Sequence, residues 1–257
     1  MPRAATRKRK RSWPAPEAGS ASKAQQFIKA AMLMMLRQSQ SDGLHEPAPG
    51  TVVEAAAGRP AAVMALLTAD QMADQMAEQM ADLIADLRSD RAGETGAVMI
   101  YRGILAVTRD ARVRHFAQTH LATEAGHLAM IEPWLAPPHR SRLLPLWRIA
   151  GWLTDALPAL VGPRAVFATI EAVETFVDQH CAQQIDRIDR LDAGGRHAPL
   201  HALRALLQSC RDDEVAHRDE AAALFALSVK PHSPAMRLWL WAVGVGSGVA
   251  VKICLKV

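Results

Sequence analysis

Two short stretches decide the fold of this chain, ATEAGH (residues 122–127) and DDEVAH (residues 212–217). In each stretch a Glu is followed three positions later by a His, which gives the pairs Glu124 with His127 and Glu214 with His217. On a helix, positions i and i+3 share a face, so a carboxylate and an imidazole point to the same neighbour. One such pair arises by chance on any long helix. Two of them, in a chain with 10 histidines, predict a shared role.

The composition favours helices over strands. The chain of 257 residues is rich in Ala, Leu, Met and Arg, and it contains 1 Tyr and 5 Phe. Sheets prefer β-branched and aromatic residues, so we predict an all-α protein. Breaks at Pro, Gly and short polar clusters separate six predicted helices, near residues 93–108, 111–135, 143–158, 163–193, 198–227 and 234–254.

The first part of the chain has a different character. Residues 1–70 are basic at the start and rich in Pro and Ala, so we predict a disordered extension, with a transit-like leader as the alternative. Residues 71–92 begin with the repeat QMADQMAEQMADLIAD, which predicts a helical lead-in with an apolar Met stripe. We assign the functional domain to residues 93–257.

Two classes of function are disfavoured. The basic segment RAATRKRKR (residues 3–11) has no interleaved aromatic residues, so we predict no nucleic-acid partner. The three cysteines, Cys181, Cys210 and Cys254, have no CxxC spacing. They therefore predict neither a disulfide framework nor a zinc motif, and they suit a reducing compartment.

The spacing of four glutamates predicts two helical hairpins. Two residues on antiparallel helices lie level with each other when the turn falls midway between them. The midpoint of Glu94 and Glu124 falls at residue 109, and that of Glu174 and Glu214 at residue 194, both inside predicted breaks. Two such hairpins packed together form a four-helix bundle.

The centre of this bundle would hold four carboxylates and two imidazoles, contributed by Glu94, Glu124, His127, Glu174, Glu214 and His217. One Glu from each of two helices and a Glu-x-x-His from each of the other two is the arrangement of di-iron carboxylate bundles. Oxygen-rich ligation with one imidazole per ion suits iron or manganese better than zinc. Spacing alone leaves Glu171 as an alternative to Glu174, because the two share a helix face.

The segments around these residues resemble the demethoxyubiquinone hydroxylases, di-iron monooxygenases of ubiquinone biosynthesis with a ferritin-like fold. The similarity covers residues 88–257 and is carried by DRAGETGAVMIYRG (90–103), ATEAGHLAMIEPWL (122–135), AVETFVDQHCAQQI (172–185) and RDDEVAHRDEA (211–221). The resemblance implies a ferritin-like bundle with two additional helices. It also implies that the six residues bind two iron ions, and it selects Glu174 over Glu171.

The sequence departs from the family pattern at three positions. Arg91 stands where the family usually has His, Thr95 where it has Tyr, and Thr175 where it commonly has a second Glu. None of them is a metal ligand of the family, so the departures bear on substrate choice. Tyr101 and His180 occupy positions that lie near the metal centre in the family. A buried histidine that donates to a helix carbonyl is the alternative interpretation of His180.

The resemblance implies hydroxylation of a demethoxylated polyprenyl benzoquinol, with O₂ and NADH-derived electrons as co-substrates. Each ligating His needs an acceptor for its other ring nitrogen, and Asp213 and Asp178 are the nearest candidates. Two alternatives remain. One is a di-iron protein with another task, such as a ferroxidase or a different hydroxylase. The other is a membrane-associated scaffold without catalytic activity, which would have no need of six polar groups in a core.

A polyprenyl substrate requires contact with a membrane. Residues 143–162 carry Arg148 and Asp155 and are too charged to span a bilayer, but Trp147 and Trp152 suit an interfacial helix. Residues 238–255 are more apolar, and we expect Gly244 and Gly248 to allow close approach of another helix.

We therefore predict a peripheral protein on the cytoplasmic face of a bacterial inner membrane, or on the matrix side of the mitochondrial inner membrane. Other ubiquinone-biosynthesis proteins are potential partners, and an oligomer is compatible with the sequence.

Overall fold

We describe a computed structural model of the chain, in which the described residues are 58–193, 197–226 and 233–257; for 58–70, 72, 73 and 76 only the backbone is described. All α-helices and 3₁₀ helices of these ranges follow in chain order: α1 (Gly58–Val107), α2 (Ala111–Ile131), the short 3₁₀ helices Glu132–Trp134 and Pro137–His139, α3 (Leu144–Val161), α4 (Pro163–Leu191), α5 (Ala198–Ala226) and α6 (Pro234–Cys254). The described ranges contain no strand. The predicted all-α class is confirmed.

Helix α1 is longer than the sequence analysis predicted. It runs without interruption for 50 residues, so the Met/Asp lead-in and the helix that carries Glu94 form one element. It also includes residues 58–70, which we expected to belong to the disordered extension. The physical reason is that residues 61–92 contain neither Pro nor Gly and are dominated by good helix formers. The disorder predicted for residues 1–57 lies outside the described residues.

Two helical hairpins build the bundle. Helices α1 and α2 are joined by a turn at residues 108–110, where the Asp110 side chain accepts hydrogen bonds from the backbone N–H groups of Arg112 and Val113 and so caps α2. The second hairpin joins α4, which ends at Leu191, to α5, which begins at Ala198. Both turns fall where the midpoint argument places them. The bundle is the ferritin-like fold that the sequence predicted.

Two apolar clusters fill the interior of the bundle. The upper core, near the α1–α2 turn, contains Ile100, Tyr101, Ile104, Val113, Phe116, Ala117, Val166, Phe167, Ile170 and Ala221. The lower core, at the other end, contains Leu83, Leu87, Ile131, Leu135, Ile185, Ile188, Leu200, Leu203 and Leu207. On every one of the four helices, the predicted metal ligands lie in sequence between the residues of these two cores. The polar residues therefore form a layer at mid-height.

Helices α3 and α6 pack outside the four-helix bundle, α3 against α1 and α6 against α4. Helix α3 comes so close to α1 that a Cβ atom on Gly151 would overlap the carbonyl oxygen of Gly96. At Gly103 of α1, likewise, a Cβ atom would overlap the carbonyl oxygen of Trp152 in α3. The close helix contact therefore depends on Gly103 and Gly151, and not on Gly244 and Gly248. A Cβ atom on Gly244 would meet nothing within 4 Å in the described structure, and one on Gly248 would make an ordinary contact with Phe176 at 3.9 Å.

Candidate metal centre

The structure brings all six predicted ligands together in the polar layer. Helix α1 supplies one Glu, α2 a Glu and a His, α4 one Glu, and α5 a Glu and a His; these are Glu94, Glu124, His127, Glu174, Glu214 and His217. Their exposed fractions lie between 1% and 9%. Buried carboxylates and imidazoles are rare unless they have partners. The cluster therefore needs a specific explanation.

Potential ligand atoms fall into two overlapping groups of four. Within each group the atoms lie within 4.8 Å of one another. The first half of the cluster contains Glu94, Glu124, His127 and Glu214, and the second half contains Glu124, Glu174, Glu214 and His217. Glu124 and Glu214 belong to both halves. This sharing is what two metal ions bridged by two carboxylates require.

Several of these atoms have no hydrogen-bond partner in the described structure: Glu94 Oε2, both carboxylate oxygens of Glu124, His127 Nδ1 and His217 Nδ1. They nevertheless lie close to other ligand atoms. His217 Nδ1 is 3.0 Å from Glu124 Oε1, and His127 Nδ1 is 3.1 Å from Glu214 Oε1. These atoms therefore crowd together without forming hydrogen bonds to one another. Buried polar atoms of this kind are costly unless something satisfies them, and metal cations fit the donor set.

Two further side chains hold ligands in place. Nε2 of His127, the ring nitrogen that faces away from the cluster, lies 3.2 Å from Oδ2 of Asp213. The Asp213 carboxylate accepts a hydrogen bond from this nitrogen. The Tyr101 hydroxyl donates to Glu174 Oε1 at 3.2 Å. Asp178, the other candidate anchor, instead accepts hydrogen bonds from Arg211 and Arg218 at 2.7 Å each.

The carboxyl groups of the layer have pKa values that are shifted in opposite directions. Burial, reinforced by neighbouring carboxylates, raises the pKa of Glu94 and of Glu174 well above the ordinary value. Burial acts in the same direction on Glu214, but the adjacent imidazole rings of His127 and His217 outweigh it and hold the pKa of Glu214 well below the usual range. One carboxylate shared by both halves is therefore held ionised.

The two histidines favour the charged form. Burial opposes that form, but the adjacent carboxylates of Glu124 and Glu214 raise the pKa of His217 to about 9. For His127, burial is outweighed by Asp213, Glu124 and Glu214, and the pKa is raised far above its ordinary value. Without a cation, protons on these rings balance the negative charge. A metal ion would replace them, because ligation requires neutral imidazole.

The structure also distinguishes the remaining predicted positions. Glu171 is half-buried and belongs to neither half of the cluster, so the structure favours Glu174. The hydroxyl of Thr95 donates to the carbonyl oxygen of Arg91 at 2.8 Å, and that of Thr175 donates to the carbonyl oxygen of Glu171 at 2.6 Å. Both threonines bond to their own helix, and neither adds a group to the cluster. The Arg91 guanidinium turns to Glu132 at 2.9 Å.

His180 has side-chain partners that we did not predict. Gln184 donates to Asp90 Oδ1 at 2.7 Å and lies 3.1 Å from Nε2 of His180, which itself is 3.5 Å from Asp90 Oδ1. The ring is therefore held by side chains and not by a helix carbonyl. A signal was present in the sequence, since Gln184 follows His180 by four positions and Asp90 precedes Glu94 by four. Such spacings are too common to be diagnostic alone.

A cavity of about 400 Å³ adjoins the cluster and lies between α1, α3, α4 and α6. Its walls include the four glutamates of the cluster and His180, together with apolar side chains such as Trp147, Phe176, Trp239 and Val243. Three buried cysteines also line it, Cys181, Cys210 and Cys254, and all three are free thiols. Burial raises the pKa of Cys210 to about 12, so this thiol is neutral without a cation nearby.

Comparison with known proteins identifies the family of this chain. Residues 81–254 match the family described as "Ubiquinone biosynthesis protein COQ7". The 3-demethoxyubiquinol 3-hydroxylase of Rhodospirillum rubrum is 36% identical over 175 residues, which are 65% of this chain and 75% of that protein. The mitochondrial NADPH-dependent 3-demethoxyubiquinone 3-hydroxylase of Dictyostelium discoideum is 30% identical over 175 residues, 65% of this chain and 74% of that protein. This chain belongs to the COQ7 family of ubiquinone biosynthesis proteins.

Proposed function

We propose that this protein hydroxylates a ring carbon of a demethoxylated polyprenyl benzoquinol, with O₂ as oxidant and with electrons that derive from NADH. One observation carries the proposal: a polar layer, in which several ligand atoms have no hydrogen-bond partner among the described residues, forms one wall of a largely apolar cavity. The cavity suits a hydrophobic ring, and the ligand atoms suit metal ions. The names of the relatives support the same substrate class.

Two iron ions are the cofactor in this proposal. Glu94 and His127 would hold one ion, Glu174 and His217 the other, and Glu124 and Glu214 would bridge them. Carboxylate and imidazole donors suit iron. When bound in its reduced form, the iron pair supplies O₂ activation, the step that no side chain of this chain can perform.

The residues around the cluster hold the ligands in position. Asp213 accepts a hydrogen bond from Nε2 of His127. This bond fixes the ring so that Nδ1 faces the cluster. The Tyr101 hydroxyl donates to Glu174 and restricts rotation of that carboxylate. Because Tyr101 is itself fully buried in the upper core, this hydrogen bond is shielded from water.

The cavity binds the ring and excludes water from it. Its volume of about 400 Å³ lies within the range of roughly 300–1,000 Å³ that is typical of small-molecule sites. Trp147 of α3 and Trp239 of α6 stand on two sides of the cavity, and Phe176 of α4 contributes a third aromatic wall. A polyprenyl tail would leave between α3 and α6, the two helices outside the bundle.

These two helices also present apolar side chains outward. The exposed large apolar residues of α3 are Leu146, Ile149, Leu153, Leu157, Leu160 and Val161, and those of α6 are Leu238, Trp241, Val245, Val249 and Ile253. Because both stripes flank the cavity, a membrane that covers them would place its lipid-soluble molecules beside the cavity. Helix α6 is long and apolar enough to cross a membrane by length and composition.

We nevertheless infer peripheral attachment, in which the exposed apolar side chains of α3 and α6 would together form one platform on the membrane surface. We place the platform on the cytoplasmic face of a bacterial inner membrane, or on the matrix side of the mitochondrial inner membrane.

Iron content tests the proposal first. Protein purified without oxygen and reconstituted with ferrous ion should hold about two irons per chain, and a Glu124→Ala, His217→Ala double variant should lose them. The loaded protein should then consume O₂ in step with hydroxylation of a short-chain demethoxyquinol. Oxidation of added ferrous ion without any need for quinol would indicate a ferroxidase instead. Absence of iron from the unaltered protein would refute the oxygenase and favour a scaffold.

A further inference from the structure

Cys210 lies beside the first half of the cluster. Its Sγ atom and the ligand atoms of Glu94 and His127 all lie within 4.8 Å of one another. Helix α5 brings it there, because Cys210 precedes Glu214 by four positions and so shares its face one turn away. The side chain is buried and lines the cavity together with Glu94 and Glu214.

A second, independent observation points to a ligand at this place. Oε2 of Glu94 and Nδ1 of His127 are buried and have no hydrogen-bond partner in the part of the chain that the structure describes. Sulfur is the third donor that faces them. A thiolate is a strong metal ligand, and it binds iron as well as cobalt and zinc.

Another cysteine of the cavity provides the comparison. Cys181 on α4 is also buried and lines the same cavity. It belongs to none of the candidate metal-binding groups among the described residues, whereas Cys210 belongs to one. The second half of the cluster instead has the Tyr101 hydroxyl beside Glu174. The two halves therefore differ in the chemistry around them.

We propose that Cys210 is a thiolate ligand of the metal ion held by Glu94 and His127, so that the two metal sites of the cluster are chemically unequal. The inference rests on the proposed function, because only that function calls for metal ions at the cluster. In the binding step the S–H bond breaks, the metal–sulfur bond forms, and one proton leaves for the solvent. No oxidation or reduction accompanies it.

Cobalt(II) is the probe, because a cobalt–thiolate bond gives a strong charge-transfer absorption in the near ultraviolet that carboxylate and imidazole ligands do not give. The metal-free full-length protein is titrated with cobalt without oxygen, and bound cobalt per chain is measured beside the spectrum. The unaltered protein and the Cys181→Ala variant should show the band. Cys210→Ala and Cys210→Ser should lose it, and one of the two binding steps should weaken while the other stays unchanged.

Three results would overturn the inference. The first is binding of cobalt without the band, which would refute thiolate ligation and leave the proposed function intact. The second is a band that persists in Cys210→Ala. The third is absence of cobalt binding from the unaltered protein, which refutes the proposed function as well. Circular dichroism confirms that each variant is folded, and Cys210→Ser preserves the size of the side chain while it removes the sulfur.

Discussion

The polar layer and the two apolar cores are built on opposite principles. In the cores, side chains such as Ile104, Val113 and Ile188 are buried against one another, and each contributes roughly 1.5–3 kcal/mol through removal from water. In the layer between them, six ionisable groups are equally buried, and several of their atoms have no hydrogen-bond partner among the described residues. The cores need nothing beyond the chain itself. The layer, in the proposed function, is completed by metal cations.

Stability and function therefore depend on different parts of the same bundle. All four helices pass through the upper core, the layer and the lower core in turn, so the cores fix the height at which each ligand stands. A change in a core should lower stability with or without metal. A change in the layer should remove only the part of the stability that depends on metal.

The largest expected effect is on the lower core. Leu203 is 5% exposed, and Leu203→Ala should lower the free energy of unfolding by about 2–5 kcal/mol, through lost burial and the cavity left behind. Chemical denaturation of the metal-free and the metal-loaded protein measures this loss, which should be the same in both. Leu160→Ala is the control, since Leu160 is 72% exposed and should change little. A loss confined to the metal-loaded protein would contradict the separation.

The next effect is on the layer. Ferrous ion at 100 times its dissociation constant should raise the free energy of unfolding by about 2.7 kcal/mol per site, because it binds the folded state alone. Glu124→Ala should abolish most of this increment, since Glu124 belongs to both halves of the cluster. Leu203→Ala should keep it. Thermal melts without oxygen, recorded with and without ferrous ion, measure the increment for each variant.

Much of this comparison could be predicted from the sequence. The two Glu-x-x-His steps, and the midpoints at residues 109 and 194, follow from helix geometry, which repeats along the chain. The choice of Glu174 over Glu171 needed the family resemblance, because both share a face. Local periodicity places residues along a helix and predicts which face they share. It does not predict how that face meets a neighbour.

The features that could not be predicted from the sequence all depend on contacts between helices. The overlap that excludes a side chain at Gly151 exists only because α3 crosses α1 at Gly96, and no local pattern encodes a crossing point. The pairing of Arg91 with Glu132 joins α1 to the segment after α2 for the same reason. In the sequence Cys210 is an isolated cysteine, since its relation to Glu94 and His127 appears only when three helices meet.

A smaller effect tests how the layer is held. Asp213→Asn should weaken metal binding by about 10–100-fold, because an anchor of a ligating His fixes the ring and raises its basicity. Asp212→Asn is the matched control, as Asp212 accepts a hydrogen bond from Gln208 at 2.8 Å and does not contact His127 in the described structure. Competition with a chelator of known affinity measures both. Equal affinities of the two variants would mean that the contact of Asp213 is incidental.

The last prediction concerns Asp155, a buried carboxyl outside the layer. It is completely buried in α3, and neither carboxyl oxygen has a hydrogen-bond partner in the residues that the structure describes. Burial alone raises its pKa well above the ordinary value. Unlike the glutamates of the layer, it has no second ionisable group to share a cation with, since it belongs to no candidate metal-binding group in the described structure.

This isolation gives Asp155 a pH signature of known sign. Above a pH of about 4 the unfolded chain loses the proton of this carboxyl while the folded chain keeps it, so stability should fall as pH rises toward the raised pKa. The slope is at most about 1.4 kcal/mol per pH unit for one proton. Asp155→Asn should lack this slope and keep the shape of the side chain, so the two stability curves, measured by denaturation of metal-free protein, should diverge as pH rises. Parallel curves would mean that Asp155 is ionised in the folded protein, and an unpartnered buried carboxylate outside the layer would then remove the contrast between layer and cores.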